Sequence, residues 1–276
     1  MEAVRKDVRR ALREDLGEGD VSAVQLPESM MATAVVLARE ECVLCGRAWF
    51  DEVFRVVDER IAVRWRVEEG GVTTTGQAIC EVRGPVQGLL SGERSALNFL
   101  QLLCAVATKA RKMSDALAGT RAVLLDTRKT IPGLRLAQKY AVRVGGGSNH
   151  RMGLFDAVLL KENHIAAAGG VREALQAASR RGDDLPLTVE VRDPAELAEA
   201  LDAGAGWVML DNFSPEQLAG AVKERDRCGR EVILEASGGI GPDNIAAVAA
   251  TGVDRISVGA LTKNIRACDF SMQITA

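Results

Sequence analysis

Residues 187–211 read LTVEVRDPAELAEALDAGAGWVMLD. The segment opens on a short β-branched run, Leu187 to Val191, passes into a helical pattern from Ala195 to Ala203, and returns to an apolar run from Trp207 to Leu210. Strand, helix and strand at this spacing make parallel neighbours joined by a crossover, right-handed in nearly all known cases. The rhythm continues in both directions after Gly119. Apolar runs at Ala122 to Leu125, Ala157 to Leu160, Val232 to Leu234 and Arg255 to Val258 alternate with helical stretches such as Pro215 to Arg225 and Asp243 to Ala250. Six or seven parallel strands, with a Gly-Gly loop before the last helix, predict an α/β fold of the incomplete (β/α) barrel kind rather than an open doubly wound sheet. No G-x-G-x-x-G follows the first of these strands, and Gly145-Gly146-Gly147 lacks that spacing, so the dinucleotide-binding fingerprint is missing.

Ahead of Gly119 the pattern differs. A helix at the start is followed by strands at Ala32 to Leu44, Ala62 to Glu68 and Gln77 to Val82, with turns at Glu69-Gly70-Gly71 and Arg83-Gly84-Pro85. Leu97, Leu100, Leu103 and Val106 then recur at helical spacing between Ser95 and Leu117. The chain therefore divides into a first domain over 1–110, to which 265–276 returns, and a barrel domain over 111–264 that carries the site.

Composition narrows the function class. Of the 276 residues 47% are hydrophobic and 26% charged, which excludes long disorder. A net charge of -3 gives no pull toward nucleic acid or an anionic membrane. No apolar run reaches the ~18–20 residues of a spanning helix. Met1 to Asp15 carries Glu2, Asp7, Glu14 and Asp15 and has no apolar core, unlike a signal peptide, so a cytoplasmic protein is expected. Six cysteines then read as free thiols. Cys42 and Cys45 form a C-x-x-C inside an apolar run with no second pair at zinc-ligand spacing, and read as buried strand thiols.

The chemistry is expected at the C-terminal ends of the barrel strands. Those ends read Asp126-Thr127-Arg128-Lys129, Lys161, Glu190, Asp211, Ser237-Gly238-Gly239 and Gly259. Between Arg121 and Lys161 stand eight basic residues and two acids, Asp126 and Asp156, in a chain that is acidic overall. Arg121, Lys139 and Arg143 read as the solvated surface of a helix. Arginines at strand ends and in Gly-rich loops suit planar capture of carboxylate or phosphate, so the ligand is small and strongly anionic. Ser237-Gly238-Gly239 before a helix, with Val258-Gly259-Ala260 ending the next strand, reads as a phosphate cradle. Glu190 and Asp211 on neighbouring strands would hold Mg²⁺ or ribose hydroxyls; a salt bridge to a nearby lysine is the alternative.

The motifs Leu124-Leu125-Asp126-Thr127-Arg128-Lys129-Thr130, Pro132-Gly133-Leu134-Arg135, Lys139-Tyr140-Ala141-Val142-Arg143, Asn149-His150-Arg151 and Lys161-Glu162-Asn163-His164 resemble the quinolinate phosphoribosyltransferase family. Glu93-Arg94-Ser95-Ala96-Leu97-Asn98-Phe99, Asp211-Asn212-Phe213, Glu235-Ala236-Ser237-Gly238-Gly239-Ile240 and Val258-Gly259-Ala260-Leu261-Thr262 extend the likeness over nearly the whole chain. The resemblance implies phosphoribosyl transfer from phosphoribosyl pyrophosphate to quinolinate with loss of CO₂, giving nicotinate mononucleotide for NAD synthesis. It implies an N-terminal α/β sandwich beside the incomplete barrel, Mg²⁺ as cofactor, and a homodimer in which Arg94 completes the neighbouring site. By position it assigns Arg128, His150 and Arg151 to the quinolinate carboxylates and Thr127 and Lys129 to the substrate. Lys129 and Lys161 face the pyrophosphate; Glu190 and Asp211 take the ribose and metal. Ser237, Gly238, Gly239, Val258, Gly259 and Ala260 would take the 5′-phosphate. Lys129, Lys161, Glu190 and Asp211 are the expected catalytic set. Lys263, where the family often has histidine, would reach the phosphate, while Ile131 and Thr188 depart from the pattern by replacing a common threonine and a common acid. Two other readings stay open: a related pyrophosphorylase of the kind associated with molybdate transport, and a Schiff-base aldolase using Lys161. A non-catalytic sensor of phosphoribosyl ligands fits less well, because the acid and base set is intact.

Overall fold

A computed structural model describes residues 1–180 and 185–275, which fall into two compact units. The first comprises Met1–Arg111, Ile131–Gly146 and the C-terminal segment from Asn264. Its helix α1 (Glu2–Leu16) buries Val4, Val8 and Leu12, one stripe at a spacing of four. Strand β1 (Met31–Ala38) buries Ala34, Val36 and Ala38, the alternation of a sheet with one covered face. After the short β2 (Cys42–Val43) comes helix α2 (Arg47–Val57), which the strand-by-strand reading passes over. Trp49, Phe50, Val53 and Phe54 form its buried face. Strands β3 (Ala62–Trp65), β4 (Val72–Thr73) and β5 (Ala78–Pro85) follow. The main sheet is antiparallel throughout, in the order Phe270–Thr275, β1, β5, β3, while β2 and β4 pair separately.

Helix α3 (Val86–Asp115) starts well before the expected Ser95 and buries Leu89, Leu97, Leu100 and Leu103 completely. Helix α4 (Arg135–Val144) also belongs to this unit. Gly145 at its end lies so close to α3 that a Cβ would collide with the Ala107 carbonyl oxygen and stand 2.6 Å from the Ala110 Cβ, which explains one glycine of the Gly145-Gly146-Gly147 run. Lys139 corrects the sequence reading: it is fully buried, not solvated. The covered face of α4 takes in Ala137, Gln138, Ala141 and Val142, and Lys139 falls within it. All six cysteines are free thiols, Cys42 and Cys45 both buried.

The second unit comprises Lys112–Thr130 and Gly147–Lys263. Strands β6 (Val123–Leu125), β7 (Val158–Leu160), β8 (Leu187–Val191), β9 (Trp207–Asp211), β10 (Ile233–Ser237) and β11 (Arg255–Ser257) form one parallel sheet in the order β6-β11-β10-β9-β8-β7. Among the described residues no ladder joins β6 to β7, so the (β/α) barrel is incomplete; an isolated bridge from Ser148 to Leu125 lies at the open edge. Two of the intervening helices start at side-chain caps. Asp193 accepts the Ala195 and Glu196 amides ahead of Pro194–Asp202, and Ser214 with Gln217 makes a capping box ahead of Pro215–Arg227, each with proline at the first helical position. Val189, Val208, Leu210, Leu234 and Ile256 fill the core with no exposure. Among the described residues no helix is long and apolar enough to cross a membrane.

Candidate active site

The second unit holds a cavity of about 610 Å³ at the C-terminal ends of its strands. The loop after β6 contributes Thr127, Arg128 and Lys129; the turn after Ser148 contributes His150 and Arg151; Lys161 follows β7. Glu190 comes from β8, Asp211 and Asn212 from the end of β9, and Ser237, Gly238 and Gly239 from the end of β10. Leu159, Met209 and Ser257 complete the wall.

Buried polar groups fix this rim. Asp126, with no exposed surface, accepts the Asn149 amide at 2.5 Å and the His150 backbone N–H at 2.9 Å, tying the loop after β6 to the turn that bears His150 and Arg151. The Thr127 hydroxyl accepts the Lys129 backbone N–H at 3.0 Å, and the Lys129 carbonyl accepts the Thr262 hydroxyl at 2.8 Å. Arg151 donates to the Ala157 carbonyl at 3.3 Å. Burial, and next the neighbouring Arg128 guanidinium, pull the Arg151 guanidinium below its ordinary pKa. Two guanidiniums that repel each other in a partly desolvated wall are relieved by an anion between them.

Also lining the cavity, Lys161 Nζ lies 2.5 Å from Glu190 Oε2; Glu190 is 13% exposed and Lys161 46%. This is the salt bridge that sequence reading held as the alternative for Glu190, although the carboxylate still lines the cavity. Asp211 Oδ2 accepts the Asn212 side-chain amide at 2.9 Å. Asn212 has φ 59, unique among the described non-glycine residues in being positive, and its backbone N–H donates to the Ser237 carbonyl at 2.8 Å. The two strand ends are thus locked beside each other, with Gly238 at φ +92 passing next to Asn212.

Of the residues expected from sequence, Thr127, Arg128, Lys129, His150, Arg151, Lys161, Glu190, Asp211, Ser237, Gly238 and Gly239 converge on this one cavity. Gly259 lies against the Thr127 and Lys129 side chains, Val258 is buried, and Lys263 is exposed at the end of a short helix; with Ala260, none of these is part of the lining. Arg94 belongs to the first unit, where it is 57% exposed and 3.9 Å from Glu93. Sequence reading missed Asn212, Leu159, Met209 and Ser257 as lining residues. Strand register would have found Met209, which pairs with Glu190, whereas nothing in the pattern announces the backbone conformation of Asn212.

Comparison with known proteins decides the family. The model of the quinolinate phosphoribosyl transferase C-terminal domain matches residues 106–273, and that of the N-terminal domain matches residues 20–104. The chain belongs to the quinolinate phosphoribosyltransferase family. It is 42% identical over 279 residues to the nicotinate-nucleotide pyrophosphorylase (carboxylating) of Mycobacterium leprae, covering 99% of this chain and 98% of that one. It is 36% identical over 285 residues to quinolinate phosphoribosyltransferase (decarboxylating) 1 of Nicotiana glauca, covering 97% and 81%. The solved structure of the nicotinate-nucleotide pyrophosphorylase from Francisella tularensis superposes with a TM-score of 0.95 at 44% identity, covering 99% and 96%.

Proposed function

We propose that the cavity transfers the phosphoribosyl group of phosphoribosyl pyrophosphate to the nitrogen of quinolinate and releases CO₂, leaving nicotinate mononucleotide and pyrophosphate. The observation that carries this reading is that one cavity brings together the guanidiniums of Arg128 and Arg151, the Lys161, Glu190 and Asp211 side chains, and the Gly238-Gly239 turn. The guanidiniums suit a pyridine with two carboxylates; the lysine, the carboxylates and the glycine turn suit a sugar bearing phosphates.

In this reading Arg128 and Arg151 bind the dicarboxylate and aim the ring nitrogen at the anomeric carbon. As pyrophosphate leaves, the ribosyl centre acquires positive charge, and the Glu190 and Asp211 carboxylates stabilise it. Lys129 and Lys161 meet the negative charge on the departing group. Attack by the nitrogen leaves a cationic ring; the bond from the ring to the adjacent carboxylate then breaks, its electron pair stays on the ring carbon beside the cationic nitrogen as CO₂ departs, and a proton from solvent takes the place of CO₂. Asn212 holds the Asp211 carboxylate for its part at the ribosyl centre, and the turn at Ser237, Gly238 and Gly239 receives the 5′-phosphate through backbone N–H groups.

Mg²⁺ fits this donor set as a companion of the substrate. Among the described residues no group of three or more His, Cys, Asp or Glu side chains is arranged as a metal cage, and Glu190 and Asp211 offer two carboxylates to a hard cation that keeps water and phosphate ligands. When bound it would neutralise the leaving pyrophosphate. We read the functional particle as a homodimer in which Arg94 of one copy completes the cavity of the other; its exposed guanidinium suits a third anion contact. Six free thiols suit a cytosolic setting.

The test is incubation with Mg²⁺, phosphoribosyl pyrophosphate and quinolinate, which should yield CO₂ and nicotinate mononucleotide. Turnover of nicotinate with quinolinate inert would overturn the substrate assignment. The aldolase reading is disfavoured because Lys161 is half-exposed and engaged by Glu190, whereas Schiff-base lysines are desolvated or set beside another cation.

A further inference from the structure

Beneath the cavity floor, β10 buries a carboxylate that none of the roles above uses. Glu235 has no exposed surface, although its neighbours Leu234 and Ala236 are apolar core. A carboxylate in such a place is costly unless it is partnered. Its Oε2 accepts the Trp207 indole N–H at 2.9 Å and lies 3.5 Å from His150 Nε2, an electrostatic contact whose geometry falls short of a hydrogen bond. The Trp207 and His150 rings are 5.6 Å apart, and the Arg255 guanidinium lies 4.0 Å over the indole. On the other side of the imidazole, Nδ1 accepts the Arg151 backbone N–H at 2.7 Å.

These contacts place a proton. A neutral imidazole has one donor nitrogen and one acceptor. Because Nδ1 receives an N–H, it keeps its lone pair, and the proton sits on Nε2 facing Glu235. The other tautomer would set two N–H groups against each other at Arg151 and a lone pair against the carboxylate.

We infer that Glu235 is a positioning residue for quinolinate capture: its carboxylate holds His150 as the Nε2–H tautomer, and His150 fixes the backbone from which Arg151 enters the cavity. Trp207 holds Glu235 in place through its indole N–H. The inference rests on the assignment of Arg151 to quinolinate made above.

The chain has two histidines, so ¹⁵N-histidine labelling gives two imidazole patterns, and His164→Gln assigns them. At neutral pH the His150 pattern of the wild-type protein should show a bare Nδ1 and a protonated Nε2. Glu235→Gln keeps an oxygen for both donors and should retain that pattern, with the quinolinate KM within about threefold of wild type. Glu235→Leu removes the oxygen; it should mix the tautomers and raise the quinolinate KM about tenfold or more while the KM for phosphoribosyl pyrophosphate holds. If Glu235→Leu does not fold, Trp207→Phe, which removes only the indole donor, should raise the quinolinate KM alone. A wild-type His150 protonated on Nδ1 would overturn the inference, as would a folded Glu235→Leu with unchanged tautomer and KM values. A wild-type protein inert toward quinolinate would instead sink the substrate reading, and the tautomer measurement would still decide the role of Glu235.

Discussion

Replacing Gly238 with alanine sets the backbone of the sugar-phosphate pocket against its neighbour. At φ +92 an L-residue is strained, and a Cβ built there collides with Asn212 Oδ1, 2.5 Å from Cγ and 2.9 Å from the backbone nitrogen. Asn212 has little room to yield, because its side chain donates to Asp211 at 2.9 Å and its N–H to Ser237 at 2.8 Å. The left-handed backbone costs an alanine about 1–2 kcal/mol, and breaking the Asn212–Asp211 bond adds about 1 kcal/mol, so about 2–3 kcal/mol is expected in all. For a chain of this size that is roughly 3–5 °C in Tm. Gly229 provides the control: at φ +67 its Cβ would meet nothing within 4 Å, so Gly229→Ala should cost only about 1–2 kcal/mol, the backbone share. Thermal unfolding by circular dichroism, paired with initial rates at varied phosphoribosyl pyrophosphate, reads both consequences. Gly238→Ala should melt below Gly229→Ala and raise the KM for phosphoribosyl pyrophosphate about tenfold or more, because Asp211 loses its orienting partner. Equal melting temperatures and equal KM values in the two variants would refute the contact argument.

The other predictions concern the cavity walls. Arg128→Lys keeps the charge but loses the planar fork, and steady-state kinetics should show the quinolinate KM rising about tenfold or more. Glu190→Gln should leave the melting temperature within about 2 °C and lower kcat by about 100-fold or more, since the half-exposed ion pair with Lys161 adds little stability while the carboxylate faces the developing charge; an unchanged kcat would remove Glu190 from the reacting centre. Arg94→Ala and Lys161→Ala should each be nearly inactive, yet a mixture of the two under conditions of subunit exchange should regain activity. No recovery despite demonstrated exchange would end the shared-site proposal.

Much of the second unit is legible because its chemistry follows from topology. Parallel strands buried on both faces have no structural use for a terminal charge, so Glu190, Asp211 and Lys161 stand out as soon as the alternation is recognised. The first unit is harder. Helix α2 packs Trp49, Phe50, Val53 and Phe54 on one face, and such aromatic and β-branched residues read equally well as strand. Lys139 escaped because lysine on a helix defaults to solvent, and only the packing of α4 reveals a buried one. Asn212 escaped because sequence records side chains, while its contribution depends on a positive φ that follows from a bond to Ser237 on another strand. Glu235 was visible only as part of a motif; its importance lies in Trp207 and His150, which are far away in sequence.

The strand Phe270–Thr275 pairs with β1 along six positions, from Ala38 opposite Phe270 to Thr33 opposite Thr275. During synthesis, the edge of β1 that awaits this partner stays bare until residues 270–275 have been translated and clear the ribosome. The barrel strands can emerge and assemble in that interval, so the unit begun first closes after the second has been made. A ribosome stalled, or a protease cutting, just after Lys263 would leave an unsatisfied β-ladder exposed to neighbouring nascent chains, a route to aggregation that spares every residue of the cavity.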